Sequence, residues 1–423
     1  MILEQTYFLW MTASMAVGIL VAGYLSVPSG ALFVLLVAAV LFLRAMWLLR
    51  RGYGAWMAMT AFFFLIGYLR AYLPDVSLIP NSLVAWSGGA SRNLADALSH
   101  LDLSPTTNAL LHAMLLGQRD AIMPELKELY RQTGAAHILA LSGLHLTILF
   151  GLIHFLFLHI VAYRMRYFIG CMAIVLMWGY ALLTGFPISL CRASLMMTLL
   201  IIGQMRLTGT DSWHALGLTA FTLLLISPSS LYDVGFQLSF VAVAGILLFF
   251  RPLADVGLPS HRWVRRIWQT FLVSLSAQLG VMPLLLHYFH RFPLSGILLS
   301  PIYILLATSI MYMALILCLL APIGMLPLLR PVLEVLVAAQ HGLMSLTTRL
   351  PWDGAVDFRL PWMGVVFWYA ALLCLLTPLE ALRKPEVPQR YFRLALFFRA
   401  WPYILAALVY AIGVYGLTSG WLG

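Results

Sequence analysis

The sequence predicts an all-α fold: a polytopic transmembrane helical bundle of about 11–13 spans, with broken or re-entrant helices and external amphipathic helices. Three observations predict it. Hydrophobic residues make up 62% of the 423 residues and charged residues only 9%, against about a quarter charged in a soluble domain. A globule in water needs a polar surface, whereas lipid acts as the solvent for an apolar one. Apolar runs of the roughly 20 residues that cross a bilayer recur along the chain. Polar residues, prolines and glycines interrupt several of those runs at places where a helix would break.

Three runs come first, at Thr6–Tyr24, Ser29–Leu49 and Gly54–Leu73, and form an N-terminal membrane block over residues 1–73. The first has no basic leading segment and no small-residue cleavage site, so it is expected to be a retained span. Residues 74–135 are the one substantial non-spanning stretch. Pro74, Asp75, Pro80, Asn81 and Ser82 read as turns, and so do Ser87, Gly88 and Gly89. Ser91 is expected to cap a helix carrying Leu94, Ala97, Leu98 and Leu101. Thr106 or Thr107 is expected to cap a second, carrying Leu110, Leu111, Met114 and Leu115. Pro124 fits the first turn of a third, which sets Leu126, Leu129 and Tyr130 opposite Lys127, Glu128 and Arg131. Such amphipathic helices are expected on the external membrane surface or over a cavity.

Residues 136–320 hold the runs Ala136–Val161, Tyr167–Thr184, Ile188–Met205, Ser212–Ile226, Leu231–Phe250, Ile267–Tyr288 and Pro293–Leu320. Residues 321–423 hold Leu328–Leu346, Pro361–Leu382 and Leu396–Gly416. The formal charge of +10 fits an anionic partner such as nucleic acid, or basic residues that mark cytoplasmic loops. Its distribution favours the loops. Arg44, Arg50, Arg51, Arg164, Arg166 and Arg206 fall on one side of the membrane if the N-terminus is cytoplasmic. Arg251, Arg262, Arg265, Arg266, Arg383, Lys384, Arg390 and Arg393 fall on the same side. The opposite loops hold only Arg291, Arg349, Arg359 and the charges of residues 74–135. The four cysteines, Cys171, Cys191, Cys318 and Cys374, lie in apolar runs without C-x-x-C spacing. They read as buried small hydrophobes.

Chemistry-bearing residues gather at a few points inside the runs. His137, Ser142, Gly143 and His145 form the first. Polar groups are costly in lipid, so they are expected to face protein or water. A Ser-Gly step also permits a helix break that exposes backbone N–H and carbonyl groups to a substrate. The same residues serve equally as glue, with Ser142 bonded to its own helix and the histidines tying neighbours together. A Ser–His hydrolase is disfavoured, because neither a Gly-x-Ser-x-Gly turn nor an orienting carboxylate accompanies Ser142. Pro187 and Arg192 form the second point. An arginine in an apolar run needs an acid such as Asp233, an aqueous cavity or an anionic substrate, and its fork suits phosphate or carboxylate.

Asp233, Gln237 and Ser239 form the third, after a turn at Ser227–Ser230, and Gln278 with Pro283 repeats the pattern in the next run. Glutamine can meet phosphates or base edges without the cost of a charge, or simply join helices. His287, His290, Arg291 and Phe292 close that run. The two histidines have the spacing of one helical face, but no further ligand follows to complete a zinc site. Aromatic rings with arginine suit single-stranded nucleic acid, and equally the membrane interface. No P-loop is present, and Lys127 and Lys384 are the only lysines, so no nucleotide engine is expected. No catalytic residue, cofactor or metal is expected either.

In this order, these segments resemble the ComEC competence proteins, the inner-membrane DNA-uptake channels of bacteria. The matching stretches are Leu115–Arg119, Thr133–His145, Gly185–Ala193, Asp233–Phe240 and Ala277–Phe292, within about Asn108–Leu320. The resemblance implies that residues 136–320 are a channel core that passes one DNA strand into the cytoplasm. It implies a multi-pass protein of the bacterial inner membrane, for which the basic loops predict a cytoplasmic N-terminus. An external DNA receptor would deliver the strand, a cytoplasmic ATPase would help to pull it, and a separate nuclease would perform any strand degradation. The implied path residues are His137, Ser142, Gly143, His145, Pro187, Arg192, Asp233, Gln237, Ser239, Gln278, His290 and Arg291. Family members often carry an external OB-like domain, for which residues 74–135 are too short. They often carry a metallo-β-lactamase-like domain, whose His-x-His-x-Asp-His signature is absent. The chain is thus expected to be a core-only or truncated member. Ser300–Pro301 also stands where the family pattern has Asn-Leu. Broken helices with embedded polar residues serve a secondary transporter or lipid-linked exporter equally well, and a membrane-embedded hydrolase using Ser142 and His145 is the third reading.

Overall fold

A computed structural model describes residues 7–23, 53–73, 75, 81–139, 141, 143, 145–146, 148, 151, 166–205, 212–256, 261–320, 326–349 and 355–383. The expected spans Ser29–Leu49 and Leu396–Gly416, most of Ala136–Val161, and Ser142 lie outside the described residues. So do Arg44, Arg50, Arg51, Arg164, Arg206, Lys384, Arg390 and Arg393.

The fold is all-α, with helices α1 (Tyr7–Ala22), α2 (Tyr53–Arg70), α3 (Asn81–Ser99) and α4 (Pro105–Leu111), which runs on into a π turn over His112–Leu116. Then come α5 (Pro124–Gln132), α6 (Arg166–Leu183), α7 (Ile188–Met205), α8 (Ser212–Ile226), α9 (Val234–Val256) and α10 (Arg262–Tyr288). The strand β1 (Arg291–Pro293) precedes α11 (Ser295–Leu320) and α12 (Leu326–Arg349), and β2 (Ala355–Asp357) precedes α13 (Trp362–Arg383). The strands form an antiparallel ribbon with Arg291 opposite Asp357 and Phe292 opposite Val356. Ten of the expected spans overlap these helices. Among the described residues, Val234–Ala254, Val264–Tyr288 and Ser295–Cys318 are long and apolar enough to cross a membrane. On α11 the exposed Leu298, Ile302 and Leu305 repeat at helical spacing, while Tyr303, Ala307, Ile310 and Ala314 are buried. That is the pattern of a helix with one face for lipid and one for protein.

Contacts divide the chain into two units. The first takes Met1–Leu78, Thr210–His290 and Arg359–Gly423, and the second takes Ile79–Gly209 and Arg291–Phe358. In the first unit α1 packs on α2 through Gly18 and Gly67, where any side chain would strike the backbone at Phe64 and Met15. Helices α9 and α10 cross in the same manner at Gly245 and Gly280: a Cβ on Gly245 would lie 2.6 Å from Ser276 O. Without a hydrophobic drive between helices in lipid, such close backbone approach supplies the packing. Met15 and Ile19 join Leu224 and Phe236 in one apolar cluster, and Thr12 donates to Gly217 O at 2.8 Å.

In the second unit α11 and α12 share a core with α4 and its π turn, containing Leu110, Met114, Ile138, Tyr303, Met311, Leu333 and Met344. Glu334 of α12 accepts from Ser104 N–H at 2.7 Å, Ser104 Oγ at 2.8 Å and Thr107 Oγ1 at 2.6 Å, which fastens the start of α4 to α12.

Three local expectations are corrected. Helix α3 starts at Asn81, so Ser87, Gly88 and Gly89 are helical and Ser91 lies mid-helix instead of at a cap. Burial of Ser87, Ala95 and Leu98 on one face outweighs the weak helix propensity of the two glycines. The cap of α4 is Ser104, whose Oγ accepts Thr107 N–H at 3.3 Å, not Thr106 or Thr107. Pro105 fixes the first helical residue and so moves the cap one step upstream. Finally, α10 ends at Tyr288 and His290 turns to φ 56°, so His287 and His290 do not share a helical face.

Candidate functional site

In the second unit the chain breaks ahead of Gly143. A 3₁₀ turn covers Ala136–Ile138, Leu141 is irregular, and helical geometry resumes at Gly143, His145 and Leu146. Gly134 opens this segment at φ 72°, with Ala135 N–H bonded to Tyr130 O at 2.8 Å. That helix ending favours glycine. A Cβ on Gly134 would also lie 2.8 Å from Pro293 Cγ, so the segment abuts β1. His137 is exposed, and its Nδ1–H donates to Gly134 O at 3.1 Å. His145 is buried, at 1% exposure.

Helices α6 and α7 are joined by a tight reversal. Gly185 at φ 80° and Phe186 at φ 53° are both left-handed. Phe186 N–H reaches Ala181 O at 2.7 Å, and Gly185 N–H reaches Leu182 O at 3.1 Å. Pro187 then accepts the first α7 bonds, from Leu190 N–H at 2.9 Å and Cys191 N–H at 3.0 Å. The start of α7 is held against the break: Ser189 Oγ donates to Leu141 O at 2.6 Å, and a Cβ on Gly143 would sit 3.2 Å from that of Ala193. Leu146 packs with Leu190, Ala193 and Met197. Two of the expected points, one around Ser142 and one around Arg192, are therefore brought together. Arg192 is 6% exposed. Two residues on, Ser194 is fully buried, with no hydrogen-bond partner for Oγ among the described residues.

The third and fourth points lie on neighbouring helices of the first unit. The segment Pro228–Tyr232 forms a 3₁₀ turn, and Asp233 caps α9 by accepting Phe236 N–H at 2.6 Å. An aspartate there satisfies an otherwise orphaned helix donor. Gln237 donates from Nε2 to Leu231 O at 3.0 Å and accepts Tyr288 Oη–H at 2.8 Å through Oε1. Ser239 follows on α9, half-buried. Gln278 lies on α10, which packs on α9 at Gly245 and Gly280, and it donates to Ser274 Oγ at 3.1 Å. At the end of α10, His287 Nδ1–H donates to Leu360 O at 2.8 Å and its ring lies 4.1 Å from that of Trp362. His290 belongs to this unit, whereas Arg291 begins β1 of the other.

Several polar contacts were not expected from the sequence. Arg119 and His137 are close enough to His145 for their charges to act on it. Tyr288 holds Gln237, and Glu334 sits inside an expected span. Gln340 is fully buried with neither amide atom bonded among the described residues. Charged and amide residues were the available signal at Arg119, Glu334 and Gln340: Arg119 ends the Leu115–Arg119 stretch that carries the resemblance, whereas Glu334 and Gln340 lie outside all five stretches.

The profile of a family described as Competence protein matches residues 114–382, more than half of the chain. Over 195 residues the chain is 30% identical to ComE operon protein 3 of Bacillus subtilis (strain 168), covering 46% of this chain and 24% of that protein. It is 29% identical over 171 residues to Competence protein ComA of Neisseria gonorrhoeae, with shares of 39% and 24%. It is 28% identical over 223 residues to Recombination protein 2 of Haemophilus influenzae, with shares of 48% and 28%. The chain thus spans about a quarter of the length of the curated relatives it matches. No solved structure matches it. All five stretches that carry the resemblance to the ComEC proteins, Leu115–Arg119 through Ala277–Phe292, fall within the matched residues, and the chain belongs to the competence protein family.

Proposed function

We propose that this chain is an inner-membrane channel that passes single-stranded DNA into the cytoplasm during natural transformation. The observation that carries the reading is Arg192. A guanidinium keeps its charge under all ordinary conditions, and one that is 6% exposed in an apolar helix, beside a helix break, suits a passing phosphate. Gly143, His145 and Pro187 border the same junction, and Ser142 belongs to its sequence. Asp233, Gln237, Ser239 and Gln278 supply uncharged or locally satisfied polar groups on α9 and α10. His290, beside the aromatic end of α10, and Arg291 of β1 each add a further polar group to the set. Each contact must be weak and the set distributed, or the strand would stall.

The partners follow from this reading. An external receptor delivers the strand, a cytoplasmic ATPase helps to pull it, and a separate nuclease performs any degradation. The bilayer surrounds the spans, with the N-terminus cytoplasmic. The test is transformation frequency in a deletion strain complemented with wild type, Arg192→Lys or Arg192→Ala at equal membrane levels. Arg192→Ala is expected to lower transformants about tenfold or more, the loss of one charged hydrogen bond, with Arg192→Lys in between. Normal transformation of the deletion strain overturns the reading.

A further inference from the structure

The π turn after α4 closes at Gly117, which adopts φ 75°. A Cβ there would lie 2.6 Å from Leu141 Cδ1, so this turn is pressed against the break that precedes Gly143. Gln118 is held on every side. Its Nε2 donates to Ser91 Oγ at 3.2 Å, its Oε1 accepts His112 Nδ1–H at 3.3 Å, and its main-chain N–H reaches His112 O at 3.1 Å. Arg119 comes next. It is exposed, and its side chain makes no hydrogen bond or ion pair among the described residues. The turn thus presents an exposed guanidinium near His145.

We infer that Arg119 contacts the phosphodiester backbone of a single strand at the edge of this break. The inference rests on the proposed function. The guanidinium matches a phosphate's paired oxygens and donates to both. His137 cannot replace it. With Nδ1–H committed to Gly134 O, the neutral ring offers only a lone pair at Nε2, and a phosphate oxygen is itself an acceptor. Arg119 contributes little to the fold, since it holds nothing in place. Its contact is solvent-exposed and screened by salt, the kind of weak hold that a moving strand tolerates.

The test uses the full chain in phosphatidylcholine nanodiscs, with binding of a labelled oligothymidylate followed by fluorescence anisotropy over a range of salt. Arg119→Gln is expected to weaken binding about tenfold and to lower the salt slope by about 0.7, the loss of one phosphate contact on a single strand. Arg119→Lys is expected to keep the slope and part of the affinity. A methylphosphonate oligomer, which has no backbone charge, is expected to bind wild type and Arg119→Gln alike. If wild type binds the oligomer and Arg119→Gln matches it in affinity and slope, this inference falls while the channel reading stands. An equal loss on the methylphosphonate oligomer also overturns it, because the contact is then not to phosphate. So does an effect of Arg119→Gln confined to nanodiscs of anionic lipid, which assigns the guanidinium to the membrane. If wild type does not bind the oligomer at all, this inference falls, and the transformation assay decides the channel reading separately.

Discussion

Arg70 is hidden, at 7% exposure. Arg70 donates to Leu225 O at 2.6 Å, Ile226 O at 2.5 Å and Leu73 O at 2.9 Å. The first two are the last carbonyls of α8, where the helix dipole gathers negative charge. Its charge is accounted for by the fold. Asp75 stands beside it and accepts from Ser229 Oγ and Ser227 Oγ. The Ser229 bond chiefly holds the Asp75 carboxyl below its usual range. Partial burial opposes this, and Ser227 and the Arg70 charge add to the lowering. A carboxylate lowered in the folded state adds stability that is complete above its unfolded pKa and fades as pH falls through the folded one. Asp75→Asn is therefore expected to cost a little stability at neutral pH and to flatten the acid limb of a melting-temperature profile below about pH 4. The site is exposed, so added salt should shrink the difference. An acid limb identical to wild type would remove Asp75 from this role. None of this was legible in the sequence, because the serines lie 152 and 154 residues from Asp75 and no local pattern links them.

At the scale of elements, the spans were legible and their joints were not. A run such as Ile188–Met205 carries its own signal, since its 18 mostly apolar residues come close to the roughly 20 that cross a bilayer, and α7 has those same limits. The start of α3 was misread because Ser87, Gly88 and Gly89 favour a turn locally, whereas the packing that overrides them comes from elsewhere in the chain. The crossing of α9 and α10 is another tertiary fact. Gly245 and Gly280 stand in apolar runs with no local mark of a crossing, but a Cβ on Gly280 would lie 2.7 Å from Val241 O. This crossing positions the helices that carry Gln237 and Gln278. Gly245→Val is expected to force them apart, costing about 1–3 kcal/mol as overpacking does, and to lower the melting temperature in detergent. If the polar groups on α9 and α10 serve the strand, transformation should fall with it. Unchanged melting would mean that the crossing relaxes without cost.

At the scale of the molecule, the distribution of charge predicts an orientation in the membrane. Helix α10 has 27 residues, about 40 Å at 1.5 Å per residue, enough to cross a hydrocarbon core of about 30 Å. Its first turns expose Arg262, Arg265 and Arg266, and Arg251 is exposed near the end of α9. Basic residues beside a span stay in the cytoplasm. The other end of α10 reaches Tyr288 and Phe289, beside the ring of Trp362, a grouping that suits the opposite interface. The prediction uses single cysteines in a chain whose four native cysteines are replaced by serine. Phe289→Cys should react with a membrane-impermeant thiol reagent on intact spheroplasts, and Arg262→Cys only after permeabilisation. The reverse pattern would invert the topology and place the Arg251–Arg266 arginines outside. Reaction of both on intact spheroplasts would mean that α10 does not cross, and the proposed channel would then have to be built from other helices.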